Sequence, residues 1–321
     1  MHYAWKRFWY PREVSPVLSD EGYLSDPDAE YGRIINPHAV PFDALADKSC
    51  LVLLGEPGIG KSHELHGIAN SLRDVDDTAT RTARLYRDLG EYSTDTGLLA
   101  DVFGCSEFTE WKDGSHRLVL FLDSLDESML HVDTVARLLG TQLARHDTDR
   151  LALRITCRTA TWPATLEAPL NEAWGADNVC VRQLAPLRRR DVTVAAQLHG
   201  VEADAFVDAT IRRGVVPLAV KPVTLEMLLE LFSTNTDLPA SQFELYERGC
   251  LRLCEERRER RESGAAGQFS ARQRLVAAER VAATTVLANR RSVWVGDDTT
   301  EMPDGAVPIR DLCGGTEPLG A

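Results

Sequence analysis

Apolar, β-branched runs recur along the first two thirds of the chain, with stretches of helical periodicity between them. Five runs read as strands: residues 50–54 (CLVLL), 82–89 (TARLYRDL), 117–123 (RLVLFLD), 151–158 (LALRITCR) and 178–184 (NVCVRQL). The first and third are continuous apolar runs, the pattern of strands buried on both faces. The second alternates, as a half-exposed strand does. Between the third and fourth, Val132, Val135, Leu139 and Leu143 fall on one helical face. Strands separated by helices predict a parallel sheet covered on both sides, an α/β three-layer fold.

Composition changes this picture little. The 321 residues leave room for about two domains. With 44% apolar and 26% charged residues the chain has the make-up of an ordinary soluble globular protein. It has no apolar run long enough to cross a bilayer. The opening MHYAWKRFWYPREV is aromatic and poor in aliphatics, unlike a signal peptide. Seven cysteines show no paired spacing, and no histidine completes a zinc set with Cys250 and Cys254. Reduced, mostly buried thiols of a cytoplasmic protein are expected. A net charge of −13 repels phosphate backbones, so general nucleic-acid binding is disfavoured.

Candidate chemistry begins where the first strand ends. GEPGIGKS comprises Gly55, Glu56, Pro57, Gly58, Ile59, Gly60, Lys61 and Ser62; it follows a strand and precedes the helical stretch SHELHGIANSLRDV. That context matches G-x-x-x-x-G-K-[ST], a phosphate-binding loop. Glycines let backbone N–H groups turn inward around phosphate oxygens, and the helix start adds free N–H groups, with His63 next in line. Lys61 would reach the β- and γ-phosphates, and the Ser62 hydroxyl would ligate Mg²⁺.

The third strand ends FLDSLDES. A carboxylate at the tip of a buried strand needs a cation or donors. Asp123 would hold Mg²⁺, largely through water. Asp126 or Glu127 would orient or deprotonate the attacking water; Glu127 is favoured, with Asp126 as a further metal or water contact. A solvated acidic loop is the alternative for this segment. With strand order 5-1-4-3-2, the fourth strand lies between the loop strand and the acidic strand. Thr156 and Arg158 of RITCRTATWP would then emerge beside the γ-phosphate, where Arg158 would sense or neutralise it. A surface ion pair is the alternative for Arg158.

Together GEPGIGKS, LVLFLDSLDES and RITCRTATWP resemble the NACHT branch of the STAND NTPases, relatives of the AAA+ ATPases, over about residues 46–230. The resemblance implies ATP or ADP with Mg²⁺, a helical lid after the sheet, and a proline against the base. Pro222 of VVPLAVKPVTLEMLLELF stands in that proline's place, although a proline that merely starts a helix reads equally well. Where the family usually has glycine after the first aspartate, this chain has Ser124.

The expected layout is an N-terminal arm (1–45), a P-loop NTPase core (46–190), a helical lid (191–260) and an incomplete or small helical or winged-helix-like segment (261–321). The charged run RGCLRLCEERRERRE suits a solvated helix, GAAGQ a linker, ARQRLVAAERVAATTVLAN a helix and SVWVGD a strand. Long C-terminal repeats, typical of the family, are not seen. The expectation is therefore an N-terminal piece of a larger protein, or a chain working with protein partners or by self-oligomerisation. The implied function is a slowly hydrolysing ATP switch in defence or signalling. An AAA+ remodelling ring and a non-hydrolysing, ADP-bound scaffold are the alternatives.

Overall fold

In the computed structural model the described residues are 3, 5–72, 82–128, 130–235, 237–254, 269–290, 292–294, 302 and 305–313. The chain divides into two units, Met1–Glu226 and Met227–Ala321.

The first unit runs β1 (Phe8–Pro11), α1 (Gly32–Ile35), β2 (Val40–Pro41), β3 (Cys50–Leu54), α2 (Lys61–Ser71), β4 (Thr82–Asp88), α3 (Asp95–Phe103), α4 (Ser106–Asp113), β5 (Arg117–Asp123), α5 (Val132–Leu143), β6 (Leu151–Cys157), α6 (Glu167–Trp174), β7 (Val179–Leu184), α7 (Arg189–Leu198), α8 (Ala203–Arg212), α9 (Val216–Ala219) and the start of α10 (Pro222–Asn235). One seven-stranded sheet has the order β2-β1-β7-β3-β6-β5-β4. The five strands expected from sequence are β3 to β7, all parallel, in the order 5-1-4-3-2. Every residue of β3 and β6 is buried, whereas edge strand β4 buries only Leu85 fully. This is why the central runs are uniformly apolar and the edge run alternates.

Side chains alternate between two cores. On one face Val52, Leu54, Leu120 and Leu153 pack against Leu98, Trp111, Leu139 and Leu170 of α3 to α6. On the other, Leu51, Leu53 and Phe121 pack against Leu65 and Ala69 of α2 and against Trp9. The result is a three-layer α/β P-loop NTPase fold. Truncating a fully buried leucine such as Leu53 to alanine would cost about 2–5 kcal/mol.

The N-terminal arm does more than lie on the core. β1 pairs antiparallel with β7 and β2 with β1, so the arm extends the sheet. β2 is two residues long and ends in Pro41, which blunts the outer edge against further pairing. The arm is also tied to α7. Arg188, 4% exposed, donates to Asp191 Oδ1 at 2.7 Å and to Asp26 Oδ1 at 3.0 Å, and Trp5 Nε1 donates to the Asp191 carbonyl at 3.0 Å.

In the second unit α11 (Gln242–Leu253) is followed by a helix over Ala271–Leu287 whose start is capped by Ser270 and Gln273. Short parallel strands Ser292–Trp294 and Ala306–Pro308 pair beside them. The charged run beyond Cys254, the linker GAAGQ, the end of SVWVGD and residues 314–321 lie outside the described residues. Cys50, Cys157 and Cys180 are buried, Cys105 and Cys254 half-buried and Cys250 exposed, all as free thiols. No helix among the described residues is long and apolar enough to cross a membrane.

Candidate functional site

Parallel strands put all their C-terminal ends on one edge of the sheet. β3 ends at Leu54, β5 at Asp123 and β6 at Cys157, and register sets Leu53 beside Thr156 and Leu122 beside Ile155. The three sequence motifs therefore meet at one edge because β6 lies between β3 and β5.

The loop Gly55–Ser62 leaves β3 and enters α2 through two backbone conformations open to glycine. Gly58 has φ +74° and Gly60 φ +99°, where a Cβ would be strained. Lys61 Nζ donates to the Gly55 carbonyl at 2.8 Å and to the Glu56 carbonyl at 3.2 Å. Burial holds the Lys61 ammonium below the usual lysine range; Asp126 and Glu127 pull the other way and Arg158 pushes with burial. Those influences mark the acids and the arginine as neighbours of the loop lysine. Ser62 is exposed at the start of α2. His63 also lines a groove of about 640 Å³ with Tyr3 and Trp5.

Asp123 is 2% exposed, and its carboxylate is held from three sides. Tyr86 of β4 donates to Oδ2 at 2.8 Å, the Ser124 N–H donates to Oδ1 at 3.0 Å, and the Thr156 hydroxyl donates to Oδ1 as well. Ser124 takes the left-handed conformation, φ 56° and ψ 47°. That is the physical reason a glycine is at home in this position, and serine adopts it at a cost of about 1–2 kcal/mol. Asp88 lies beside Asp123 across the β4–β5 ladder; burial first, then Asp123 and Glu127, raise it above the usual carboxylate range.

Asp126 and Glu127 differ sharply. The Asp126 side chain is 4% exposed, and its Oδ1 accepts the Arg158 backbone N–H at 2.8 Å. Its Oδ2 lies 2.8 Å from Arg158 Nε, an ion pair without hydrogen-bond alignment. The Glu127 side chain is 54% exposed and accepts from Arg158 Nη2 at 3.0 Å. One guanidinium thus bridges both acids, and the Glu127 hydrogen bond raises the Arg158 pKa further.

Pro222 and Val223 reach the loop from α10. A Cβ built on Gly60 would stand 3.5 Å from Pro222 Cγ, and one on Gly58 3.3 Å from Val223 Cβ. Glu56 pairs with Lys221. Next to the loop lies a cavity of about 380 Å³ lined by Tyr10, Gly22, Ile59, Leu184, Pro217 and Val220, with Glu56 and Lys221 at its polar side. Burial pushes the Tyr10 phenol up to about 12, with Glu56 adding to the shift, so its hydroxyl is neutral at ordinary pH. Among the described residues, no three metal-ligating side chains cluster tightly enough to hold an ion unaided.

Sequence reading did not single out Tyr10 or Tyr86, which stand beside these residues. Tyr86 had a usable signal, since alternation in TARLYRD puts a lone aromatic hydroxyl near the tip of the strand.

No family model matches the chain, and no curated protein does either. Among solved structures it is similar to a variant of Thermotoga maritima RuvB, at 15% identity over 76% of this chain and 70% of that one, with a TM-score of 0.36. It is similar to the Aeropyrum pernix ORC1 protein in complex with DNA, at 13% identity over 86% and 76%, with a TM-score of 0.43. Domain III of the Thermotoga maritima replication initiation protein DnaA matches at 14% identity over 66% and 87%, with a TM-score of 0.36.

Proposed function

We propose that the chain binds ATP with Mg²⁺ and hydrolyses it slowly, as a molecular switch of the NACHT/STAND type. The supporting observation is the meeting of Lys61, Asp123, Asp126, Glu127 and Arg158 at one sheet edge beside a loop of positive-φ glycines.

The residues present suit the nucleotide. Backbone N–H groups of residues 58–63 and Lys61 would hold the phosphates, and the 380 Å³ cavity would take the base against Tyr10 and Val220, with Pro222 packed beside Gly60 of the loop. The Ser62 hydroxyl would ligate Mg²⁺, and Asp123 would hold the ion's water shell. When bound, the ion would neutralise charge on the transferring phosphoryl group.

Asp123 is fixed by three donors, so it orients rather than moves. Asp126 is engaged with the Arg158 backbone and serves to seat Arg158. Glu127 is the open carboxylate, and it is the base assigned to the attacking water. Arg158 has two competing partners in this scheme. A γ-phosphate attracts the guanidinium, and its departure frees Glu127 to accept a proton from water. Charge on the γ-phosphate would in this way decide whether the base is available, the differential contact a switch requires.

The test is to denature freshly purified protein and identify the released nucleotide by chromatography, beside Lys61→Ala as control. ADP near one per chain in the wild type and none in Lys61→Ala is expected. Glu127→Gln should keep ATP bound while turnover falls about 100-fold or more. If Glu127→Gln turns over normally and Asp126→Asn does not, the two roles are reversed. Sustained turnover that rises with protein concentration would favour a remodelling ring instead.

A further inference from the structure

Arg7 stands just before β1 and is 5% exposed. Its Nη1 donates to the Ile59 carbonyl at 3.1 Å and its Nη2 to the Ala185 carbonyl at 2.8 Å. No carboxylate among the described residues lies within ion-pair distance of it. Glu64 in the first turn of α2 and Asp191 at the start of α7 face it from further away, and Arg188 adds like charge. Burying a guanidinium without a direct counter-ion is costly, and an apolar side chain would fill the same space more cheaply. What arginine supplies here is two directed donors, one of them on the phosphate loop.

Ile59 sits between Gly58 and Gly60, both at positive φ. A trans peptide points its C=O and N–H to opposite sides. With the Ile59 carbonyl fastened to Arg7, the Gly60 N–H is turned away from Arg7. Gly60 contributes no Cβ to oppose the reverse orientation of the Ile59–Gly60 peptide. In the reverse orientation a carbonyl oxygen would face an incoming phosphate and repel it.

We propose that Arg7 is a positioning residue of the phosphate loop: by holding the Ile59 carbonyl it keeps the Gly60 N–H available to a phosphate oxygen. This rests on the nucleotide reading of the loop given above. It goes beyond that reading by assigning the loop an anchor from the arm, 52 residues away in sequence.

The test compares Arg7→Met with Phe8→Leu in the full chain, reading ADP affinity by calorimetry and melting temperature without nucleotide. Phe8 is the next residue, 3% exposed, and Phe8→Leu loosens the same strand by removing ring packing and the Lys6 and Arg188 cations over its face, without touching the Ile59 carbonyl. Positioning predicts that Arg7→Met weakens ADP about tenfold or more, while Phe8→Leu changes it less than about twofold at a comparable fall in melting temperature. Arg7→Lys, which keeps the charge but cannot span both carbonyls, should fall between. If Arg7→Met does not fold, Arg7→Lys against Phe8→Leu decides. Equal weakening by Arg7→Met and Phe8→Leu, or no weakening by Arg7→Met, overturns the proposal and leaves the nucleotide site standing. A wild-type chain that binds no ADP overturns both.

Discussion

Replacing Thr156 with valine removes one hydroxyl and keeps the side chain's shape. Thr156 is fully buried in β6, and its oxygen both donates to Asp123 Oδ1 and accepts the Ser124 N–H at 2.9 Å. In the variant, the Ser124 N–H keeps Asp123 Oδ1 at 3.0 Å, so no donor is orphaned. The main loss is the hydrogen bond to a charged acceptor, about 1.5–3 kcal/mol, while the Ser124 N–H gives up only one of its two acceptors. For a unit the size of Met1–Glu226, each kcal/mol moves the melting temperature by about 2–4 °C, giving a fall of roughly 3–12 °C. Thermal unfolding followed by circular dichroism without nucleotide measures it. Tyr86→Phe removes the donor on Oδ2 and should cost about 1–2 kcal/mol. The double variant leaves a buried carboxylate with a single backbone donor, so the two losses should couple by more than about 0.5 kcal/mol. A Thr156→Val protein melting within about 1 °C of wild type would refute the reasoning, because Asp123 would then not depend on its hydroxyl donor.

Ser124→Gly should melt at or above wild type, since relief of left-handed strain offsets the unfolded-chain entropy of glycine, whereas Ser124→Val should lose about 2 kcal/mol or more; the opposite ranking in denaturant titrations would contradict the assigned conformation. Because burial lowers the Lys61 pKa, the unfolded chain binds the proton more tightly there, and this lysine's contribution to stability rises as pH climbs through the window below its ordinary value. Phosphate favours the charged form, so ADP affinity should fall as pH rises toward the ordinary lysine value and binding there should take up protons, read as buffer-dependent calorimetric heats. An affinity unchanged from neutral pH up to the ordinary lysine value of about 10.4 would count against Lys61 as the phosphate ligand.

The core was legible because its signals are local. CLVLL and RLVLFLD are uniform because their strands are buried on both faces, and the loop between Gly55 and Ser62 needs glycines that announce themselves. The arm's contribution was not legible. β1 is four residues ending in proline and β2 is two, too short for any periodicity, and both exist only because β7 offers an edge. Arg7 left no trace for a different reason. Its partners are backbone carbonyls, which carry no residue type, so no spacing relates Arg7 to Ile59 or Ala185. Sequence reading favoured Glu127 over Asp126 but could not give the reason, because the difference between them is burial, set by where the Arg158 N–H falls.

The Arg7 to Ala185 contact spans 178 residues, and β3 takes both of its neighbours, β6 and β7, from later in the chain. At a synthesis rate of about 5–20 residues per second, roughly ten seconds separate the making of the phosphate loop from that of the residues that fix it. A nascent chain would therefore carry every motif residue of the loop for that interval without the conformation that uses them. On the proposed reading nucleotide capture would be a late event in biosynthesis, and a chain cut short before β7 would expose the loop without arming it.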